Sequence, residues 1–119
     1  MKQILLSEKP LDLRLWRLQR SSAIFVIVLV SIHLILQLIV FNSNLITYLA
    51  VSERIKSGTL LVIDIILLIA VSVHGYLGFR SILLDYINSS RLASFITYSI
   101  LLAIAVTIVY GLMALGAFI

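Results

Sequence analysis

The chain has 119 residues, of which 62% are hydrophobic and only 12% are charged. Soluble domains are roughly 45–50% apolar, so this composition excludes an ordinary soluble enzyme and predicts a membrane protein. The net charge of +4 comes from basic residues that flank apolar runs, which argues against a nucleic-acid partner, and the lack of cysteine excludes disulfides and cysteine-held iron–sulfur clusters.

The first element is a short amphipathic segment with the sequence PLDLRLWRLQR. Leu11, Leu15 and Leu18 recur at helical spacing, and Trp16 lies among them. This pattern predicts a short N-terminal interfacial helix on membrane lipid at the inner surface, with a simple positively charged anchor as the alternative. The residues before it contain no apolar stretch followed by a small-residue cleavage site, so we expect no signal peptide.

Three apolar runs follow, over residues 21–42, 59–80 and 92–116. Each approaches or exceeds the roughly 20 residues with which a helix crosses about 30 Å of hydrocarbon. The connection NSNLITYLAVSERIKSG is too polar at its ends to span, although LITYLAV suits the membrane interface. Short connections make neighbouring helices antiparallel. The sequence thus predicts an all-α membrane protein with three transmembrane helices, up-down-up, in one domain over residues 1–119.

The distribution of basic residues predicts the orientation of these helices. Of the 9 Lys and Arg residues, only Arg54 and Lys56 lie in the connection between the first two runs. The others precede the first run or flank the connection between the second and third. The positive-inside rule then places the N-terminus in the cytoplasm and the C-terminus outside, in an inner or cytoplasmic membrane.

Polar side chains within the apolar runs are costly and are therefore candidates for function. They are His33, Gln37, Asp64 and His74. For each histidine the alternative is an interhelical hydrogen bond, and Asp64 lies close enough to the outer end of its helix to reach water. As a coupling carboxylate, Asp64 would also suit a small oligomeric transporter, although such transporters have four spans and a carboxylate in the first.

One face of the second predicted helix carries residues at positions i, i+4, i+7 and i+11, namely His74, Gly78, Ser81 and Asp85. Gly75 and Gly78 leave the surface near the imidazole without bulk, which would admit a flat macrocycle or another helix. At the cytoplasmic edge the face ends with Asp85 and Tyr86. A membrane-soluble ligand with a polar head, such as a quinone, could meet ionisable groups there.

The stretch HGYLGFRSILLDY resembles the His-x-x-x-Gly-x-x-x-x-x-x-Asp-Tyr signature of the smaller cytochrome b membrane anchor of succinate dehydrogenase, complex II. LQRSSAIFVIVL and IVYGLMALGAF are similar to that family's first and last helices. The resemblance implies a non-catalytic anchor subunit in an enzyme of the tricarboxylic acid cycle. It also implies three partners: a second membrane anchor subunit, an iron–sulfur subunit and a flavoprotein subunit. A fumarate reductase anchor that oxidises quinol is the close alternative.

The same resemblance implies roles for individual residues. His74 corresponds to the axial ligand of haem b, and Arg20 corresponds to the arginine near a haem propionate. Asp85 and Tyr86 correspond to the pair that borders the quinone site. Tyr86 can donate a hydrogen bond to a quinone carbonyl oxygen, and Asp85 can orient Tyr86 or relay a proton.

His33 is a departure from the single-haem members of that family. Helix rise places it about 20 Å from the inner boundary of the membrane and His74 about 9 Å from it, a depth difference of about 11 Å. Two imidazoles on one iron must bring their nitrogens within about 4 Å of each other, so we do not expect one shared haem. Resemblance to the di-haem branch implies a second haem with His33 as its axial ligand. The haem count is thus one, or two.

Overall fold

The computed structural model describes residues 10–40 and 47–119, and within these ranges it is almost entirely helical and contains no strand. Its elements are α1 (Pro10–Ile35), a π-helical segment that continues it (Leu36–Val40), α2 (Tyr48–Lys56), α3 (Thr59–Tyr86) and α4 (Ser90–Gly116). The predicted all-α class is confirmed.

Three helices are long and apolar enough to cross a membrane, over Leu13–Ile39, Thr59–Tyr86 and Ser90–Gly116. The prediction of three transmembrane helices is thus confirmed, although α3 continues for more than one turn past the predicted end at residue 80. At about 1.5 Å per residue, a helix of this length exceeds the hydrocarbon thickness, so its ends extend into the headgroup layers. Residues 41–42, the predicted end of the first span, lie outside the described residues.

The amphipathic N-terminal segment is the beginning of α1 rather than a separate interfacial helix. α1 starts at Pro10, and no glycine or further proline interrupts it before Ile35, so the helix has no reason to break between the amphipathic segment and the span. Trp16 is exposed, and the Arg20 guanidinium lies 4.6 Å from the centre of its ring. Lys2 and Lys9, which contribute to the predicted orientation, lie outside the described residues.

α2 is a short helix in the predicted outer connection and packs against α3. Thr47 caps its N-terminus, where its hydroxyl accepts a hydrogen bond from the Ala50 amide at 3.3 Å. Gly58 follows with φ 75°, a left-handed conformation that favours glycine and lets the chain turn directly into α3. The first part of this connection, residues 41–46, lies outside the described residues.

α3 is the central helix, because α1, α2 and α4 all pack against it. Few side chains are buried among the described residues, namely those of Ser52, Ile55, Leu60 and Leu77. Most of these lie where α2 meets the start of α3, so the tightest packing is at the predicted outer end. α4 has no buried residue. Its exposed apolar surface suits lipid or another membrane subunit, not water.

α4 packs closely against α3 at Gly111. A Cβ atom at this position would lie 2.6 Å from Leu68 Cδ2 and 3.1 Å from Leu68 Cδ1. The side chain of Leu68 therefore occupies the space that a larger residue would need. Small residues at such contacts are a common means of bringing transmembrane helices together.

Replacing Gly111 with leucine should separate α4 from α3, because the added side chain and Leu68 would occupy the same space. Overpacking of this kind costs about 1–3 kcal/mol. The measurement is the thermal stability of the detergent-solubilised protein. Gly116→Leu is the matched control, since a Cβ at Gly116 meets no atom within 4 Å. Equal stability losses in the two variants would contradict this account of the contact.

Candidate functional site

Two polar links connect α1 with α3, and each contains one of the two histidines. We name them the inner link and the outer link after the predicted orientation of the chain. In the inner link, Ser22 Oγ lies 3.0 Å from His74 Nδ1. In the outer link, His33 Nδ1 lies 2.7 Å from Asp64 Oδ1. Both imidazoles are partly buried, so each histidine lies at the contact between the two helices and not on a surface open to lipid on all sides.

The hydrogen bonds of Ser22 determine which nitrogen of His74 carries the proton. Ser22 Oγ donates to the carbonyl oxygen of Gln19 at 2.9 Å. A hydroxyl has one proton, so Ser22 Oγ must accept in the bond to His74, and Nδ1 of the imidazole must donate. The neutral ring then has its lone pair on Nε2. This is the tautomer with which a histidine ligates a metal through Nε2.

The two glycines near His74 have different surroundings. A Cβ at Gly75 would meet no atom within 4 Å, whereas a Cβ at Gly78 would lie 3.8 Å from Gln19 Nε2 of α1. Gly78 therefore belongs to the contact between α1 and α3, as the helix-packing alternative proposes. Gly75, next to His74, leaves the open surface that a flat macrocycle would require.

The outer link continues from α3 to α2 through Arg54. Arg54 Nη2 lies 3.9 Å from Asp64 Oδ2, and Arg54 Nη1 donates a hydrogen bond to Gln37 Oε1 in the π-helical segment. The side chains of Arg54 and Asp64 are only 12% and 10% exposed. Four polar residues from four consecutive elements thus form one cluster at the predicted outer end of the helices.

Asp64 contacts His33 at the same ring nitrogen, because His33 Nδ1 lies 2.7 Å from Asp64 Oδ1. Neither atom makes a well-aligned hydrogen bond with any described residue, so this link is a close electrostatic contact. A carboxylate beside Nδ1 favours the ring form with its proton on Nδ1, which leaves the lone pair of a neutral ring on Nε2. Both histidines therefore have Nδ1 in contact with a side chain of the neighbouring helix.

The two links also give the separation of the histidines along the helix axes. Ser22 and His33 are eleven residues apart in α1, a rise of about 16 Å, and Asp64 and His74 are ten residues apart in α3, a rise of about 15 Å. The two helices give the same separation independently. It exceeds the sequence-based depth difference of about 11 Å, and it is too large for both imidazoles to bind one iron.

An apolar groove lies beside each link. The groove near the inner link has a volume of about 530 Å³ and includes Ser22 and Val73 in its lining. The groove near the outer link has a volume of about 500 Å³, and His33, Arg54 and Asp64 contribute its polar lining. Mostly apolar clefts with a few convergent polar groups are typical of ligand sites. Each histidine thus lies at or beside a cavity of suitable size for part of a large apolar ligand.

The remaining predicted site residues lie toward the inner end. Arg20 precedes Ser22 by two positions, but its guanidinium stacks on Trp16 and does not enter the inner link. Asp85 and Tyr86 end α3, about 17 Å beyond His74 along the helix. Both are exposed, with Tyr86 at 82%. The structure therefore brings His74 near the level of Arg20 and leaves Asp85 and Tyr86 at a separate edge.

Sequence reasoning assigned Arg54 only to topology and did not identify it as part of the outer cluster. The spacing of Ser52 and Ile55, at i and i+3 in α2, was an indication of one buried helix face. This face packs against α3 and places Arg54, the residue before Ile55, beside the contact. The π-helical segment was also not predicted. Such segments occur frequently at functional sites, and this one carries Gln37, the partner of Arg54.

No group of three or more His, Cys, Asp or Glu residues comes together within residues 10–40 and 47–119. A metal held entirely by this chain would need such a group. Haem iron, in contrast, takes its equatorial ligands from the macrocycle and needs only axial ligands from protein. The two separate histidines can each supply one axial ligand of this kind.

Three long apolar helices, with ionisable side chains on their internal contacts, define this chain as a multi-pass helical membrane protein. A family model described as succinate dehydrogenase/fumarate reductase transmembrane subunit matches residues 2–114. The chain belongs to this family, which confirms the resemblance of HGYLGFRSILLDY. A search of the curated proteins finds no significant match. A search of the solved structures also finds none.

Proposed function

We propose that this chain is a membrane anchor subunit of a succinate:quinone oxidoreductase that binds haem b through His74 and contributes to the quinone site. The observation that carries this proposal is the inner link. Ser22 accepts a hydrogen bond from Nδ1–H, which leaves the Nε2 lone pair of His74 for an iron, next to the open surface at Gly75. Family membership supplies the biological setting.

The residues of this chain fit the requirements of haem b on the side of His74. Ser22 fixes the ring orientation and tautomer, and the groove of about 530 Å³ beside it is almost wholly apolar. When bound, haem b supplies one-electron redox chemistry. Arg20 is exposed near the level of Ser22, so a rotation of its long side chain away from Trp16 would let it pair with a propionate.

His33 supports a second haem in this proposal. Its Nδ1 contacts a carboxylate, as ring nitrogens of metal-bound histidines commonly do. The separation of about 15 Å from His74 requires a different iron. Each haem would take its opposite axial ligand from the partner membrane anchor, because this chain offers one histidine at each depth.

At the cytoplasmic end of α3, Asp85 and Tyr86 serve the quinone, which is the substrate. The Tyr86 hydroxyl donates a hydrogen bond to a carbonyl oxygen of the quinone, and this bond strengthens as negative charge develops there. Asp85 orients Tyr86 or supplies a proton. Tyr86 is 82% exposed in this chain, so the site is completed by neighbouring subunits.

The partners follow from this arrangement. A flavoprotein subunit oxidises succinate and an iron–sulfur subunit passes electrons to the quinone, on the cytoplasmic side of an inner or cytoplasmic membrane. The second membrane anchor covers part of the apolar surface of α4, which has no buried residue. Neither Asp85 nor Tyr86 acts on succinate, so this chain is a non-catalytic subunit of an enzyme of the tricarboxylic acid cycle.

Replacing Tyr86 with phenylalanine should lower quinone reductase activity roughly 10- to 100-fold, because a hydrogen bond to a developing charge is worth about 1.5–3 kcal/mol. Succinate oxidation with an artificial soluble acceptor should persist, since that reaction bypasses the quinone. Asp85→Asn should act in the same direction. Both activities are measured on the purified complex.

Tyr110→Phe is the matched control for this prediction. Tyr110 lies in the outer half of α4, is 70% exposed, and loses the same hydroxyl group. Quinone reductase activity should be unchanged in this variant. A parallel loss of both activities in Tyr86→Phe would indicate damage to assembly and would contradict the assignment of Tyr86 to the quinone site.

A fumarate reductase anchor that oxidises quinol remains the second candidate, because the family description covers both enzymes. A reduced-minus-oxidised spectrum of the purified complex separates a haem-containing anchor from a haem-poor one. The transporter alternative is weaker. Asp64, its coupling carboxylate, is already in contact with His33 and close to Arg54, and the family match provides no support for transport.

A further inference from the structure

The two histidines differ in the group that contacts Nδ1, which is a hydroxyl at His74 and a carboxylate at His33. We propose that Asp64 is a positioning residue that makes Nε2 of His33 a stronger electron donor to haem iron than Nε2 of His74. The second haem consequently has the lower reduction potential. This inference rests on the proposed function, since it requires His33 to be an axial ligand.

The chemistry of the partners explains the difference in donor strength. A negatively charged carboxylate 2.7 Å from Nδ1 polarises the ring and increases the electron density on Nε2. The increase stabilises the oxidised iron, which carries the higher positive charge, and lowers the potential. The hydroxyl of Ser22 is an uncharged acceptor and already donates to Gln19, so its effect on His74 is smaller.

The remaining members of the outer cluster hold Asp64 in place. Arg54 Nη2 lies 3.9 Å from Oδ2, on the oxygen that does not contact His33. Gln37 in turn accepts a hydrogen bond from Arg54 Nη1, and the side chains of Asp64 and Arg54 are nearly buried. The carboxylate therefore lies nearly buried between a cation and an imidazole.

Arg54 should have an effect opposite in sign to that of Asp64. Its positive charge partly offsets the carboxylate and opposes oxidation of a nearby iron. Removing the charge should shift the potential of the second haem to more negative values, whereas removing the charge of Asp64 should shift it to more positive values. This pair of opposite shifts distinguishes the cluster from a general loss of packing, which would not depend on the sign of the charge removed.

The test uses the purified complex with all its subunits, and it measures the potential of each haem by optical redox titration and the electron paramagnetic resonance g values. Asp64→Asn should shift the lower potential to more positive values, change the g values of that haem, and leave the His74-linked haem unchanged. Haem retention at His33 should fall roughly 10- to 100-fold, the usual cost of losing such a partner. Arg54→Gln should give the opposite shift in potential.

Two further variants separate positioning from simple charge. Asp64→Glu keeps the negative charge but changes its reach, so a positioning role predicts altered g values and a purely electrostatic role predicts none. Ser22→Ala should affect only the haem of His74. If Asp64→Asn fails to assemble, the test rests on Arg54→Gln. An unchanged potential of the second haem in Arg54→Gln would then overturn the proposal.

The outcomes also separate this inference from the proposed function. Equal potentials for two haems, or identical shifts in both haems of Asp64→Asn, overturn the positioning role of Asp64 and leave both ligand assignments standing. A single haem per wild-type complex, measured by its pyridine haemochrome, overturns this inference together with the assignment of His33. It leaves the assignment of His74 and the quinone site intact.

Discussion

Replacing His74 with alanine should abolish a low-spin b-type haem signal and weaken the association of the two membrane anchors. The imidazole supplies the axial Nε2, and iron held by one histidine from each subunit crosslinks them. The expected results are loss of the haem band from the reduced-minus-oxidised spectrum and dissociation of the complex on native gels at lower detergent concentration than the wild type.

Ser22→Ala provides the matched control for that experiment. It breaks the inner link at the hydroxyl but retains the imidazole, so it reports how much the link between α1 and α3 contributes on its own. Haem should remain bound, with a small change in potential. If the assembled His74→Ala complex kept the wild-type haem spectrum, His74 would be only a helix-packing residue and the proposed function would lose its main support.

Composition and length were sufficient to predict the fold class. Apolar runs of 20 or more residues must form helices in a bilayer because every backbone hydrogen bond has to be satisfied within the segment. The residues at which the helices end were less predictable. α3 extends to Tyr86 rather than to residue 80, since the hydrophobic pattern ends at the membrane surface while the helical hydrogen bonds continue beyond it.

The N-terminal segment shows a different limit of the sequence. Its leucine and tryptophan pattern is typical of an interfacial helix, yet the chain continues without interruption into the first span. Amphipathicity indicates which side chains prefer an interface, but it does not bend a helix. A separate helix needs a break such as Gly58, whose left-handed backbone lets α2 and α3 meet at a sharp turn.

The positions of the candidate site residues could be predicted along a helix but not between helices. Periodicity places His74, Gly78, Ser81 and Asp85 on one face of α3, because residues of one helix have a fixed geometry. Contacts between helices do not have that property. The pairing of His33 with Asp64, and of Arg54 with Gln37, depends on how α1 and α2 pack on α3. The sequence could name the polar residues, but it could not determine which would meet.

The depth of His33 shows the same dependence on contacts between helices. The sequence-based difference of about 11 Å used Arg20 and Arg80 as markers of one membrane boundary. The two links replace these markers with direct contacts between α1 and α3, and they raise the separation to about 15 Å. The arginine side chains are long enough to reach the boundary from different depths, which explains the smaller first value.

The structure also changes how His33 should be tested. A His33→Leu variant removes the ligand and fills much of its volume, but it also removes a contact of Asp64 and leaves Arg54, at 3.9 Å, as its charged neighbour among the described residues. A buried polar group that loses a partner costs about 1–3 kcal/mol. The single variant therefore combines loss of a ligand with loss of the outer link. The double variant His33→Leu/Asp64→Asn removes the unpaired carboxylate and keeps the loss of the ligand.

We expect the haem content to fall from about two to about one per complex in both His33→Leu and the double variant, because each haem requires its own axial histidine from this chain. Asp64→Asn alone retains the imidazole and should keep the second haem at reduced occupancy. The measurement is the pyridine haemochrome per assembled complex, with the His74-linked spectrum as the internal reference. Should the wild-type complex contain only one haem, unaffected by His33→Leu, then His33 serves as the partner of Asp64 between α1 and α3, and a single haem at His74 describes this anchor.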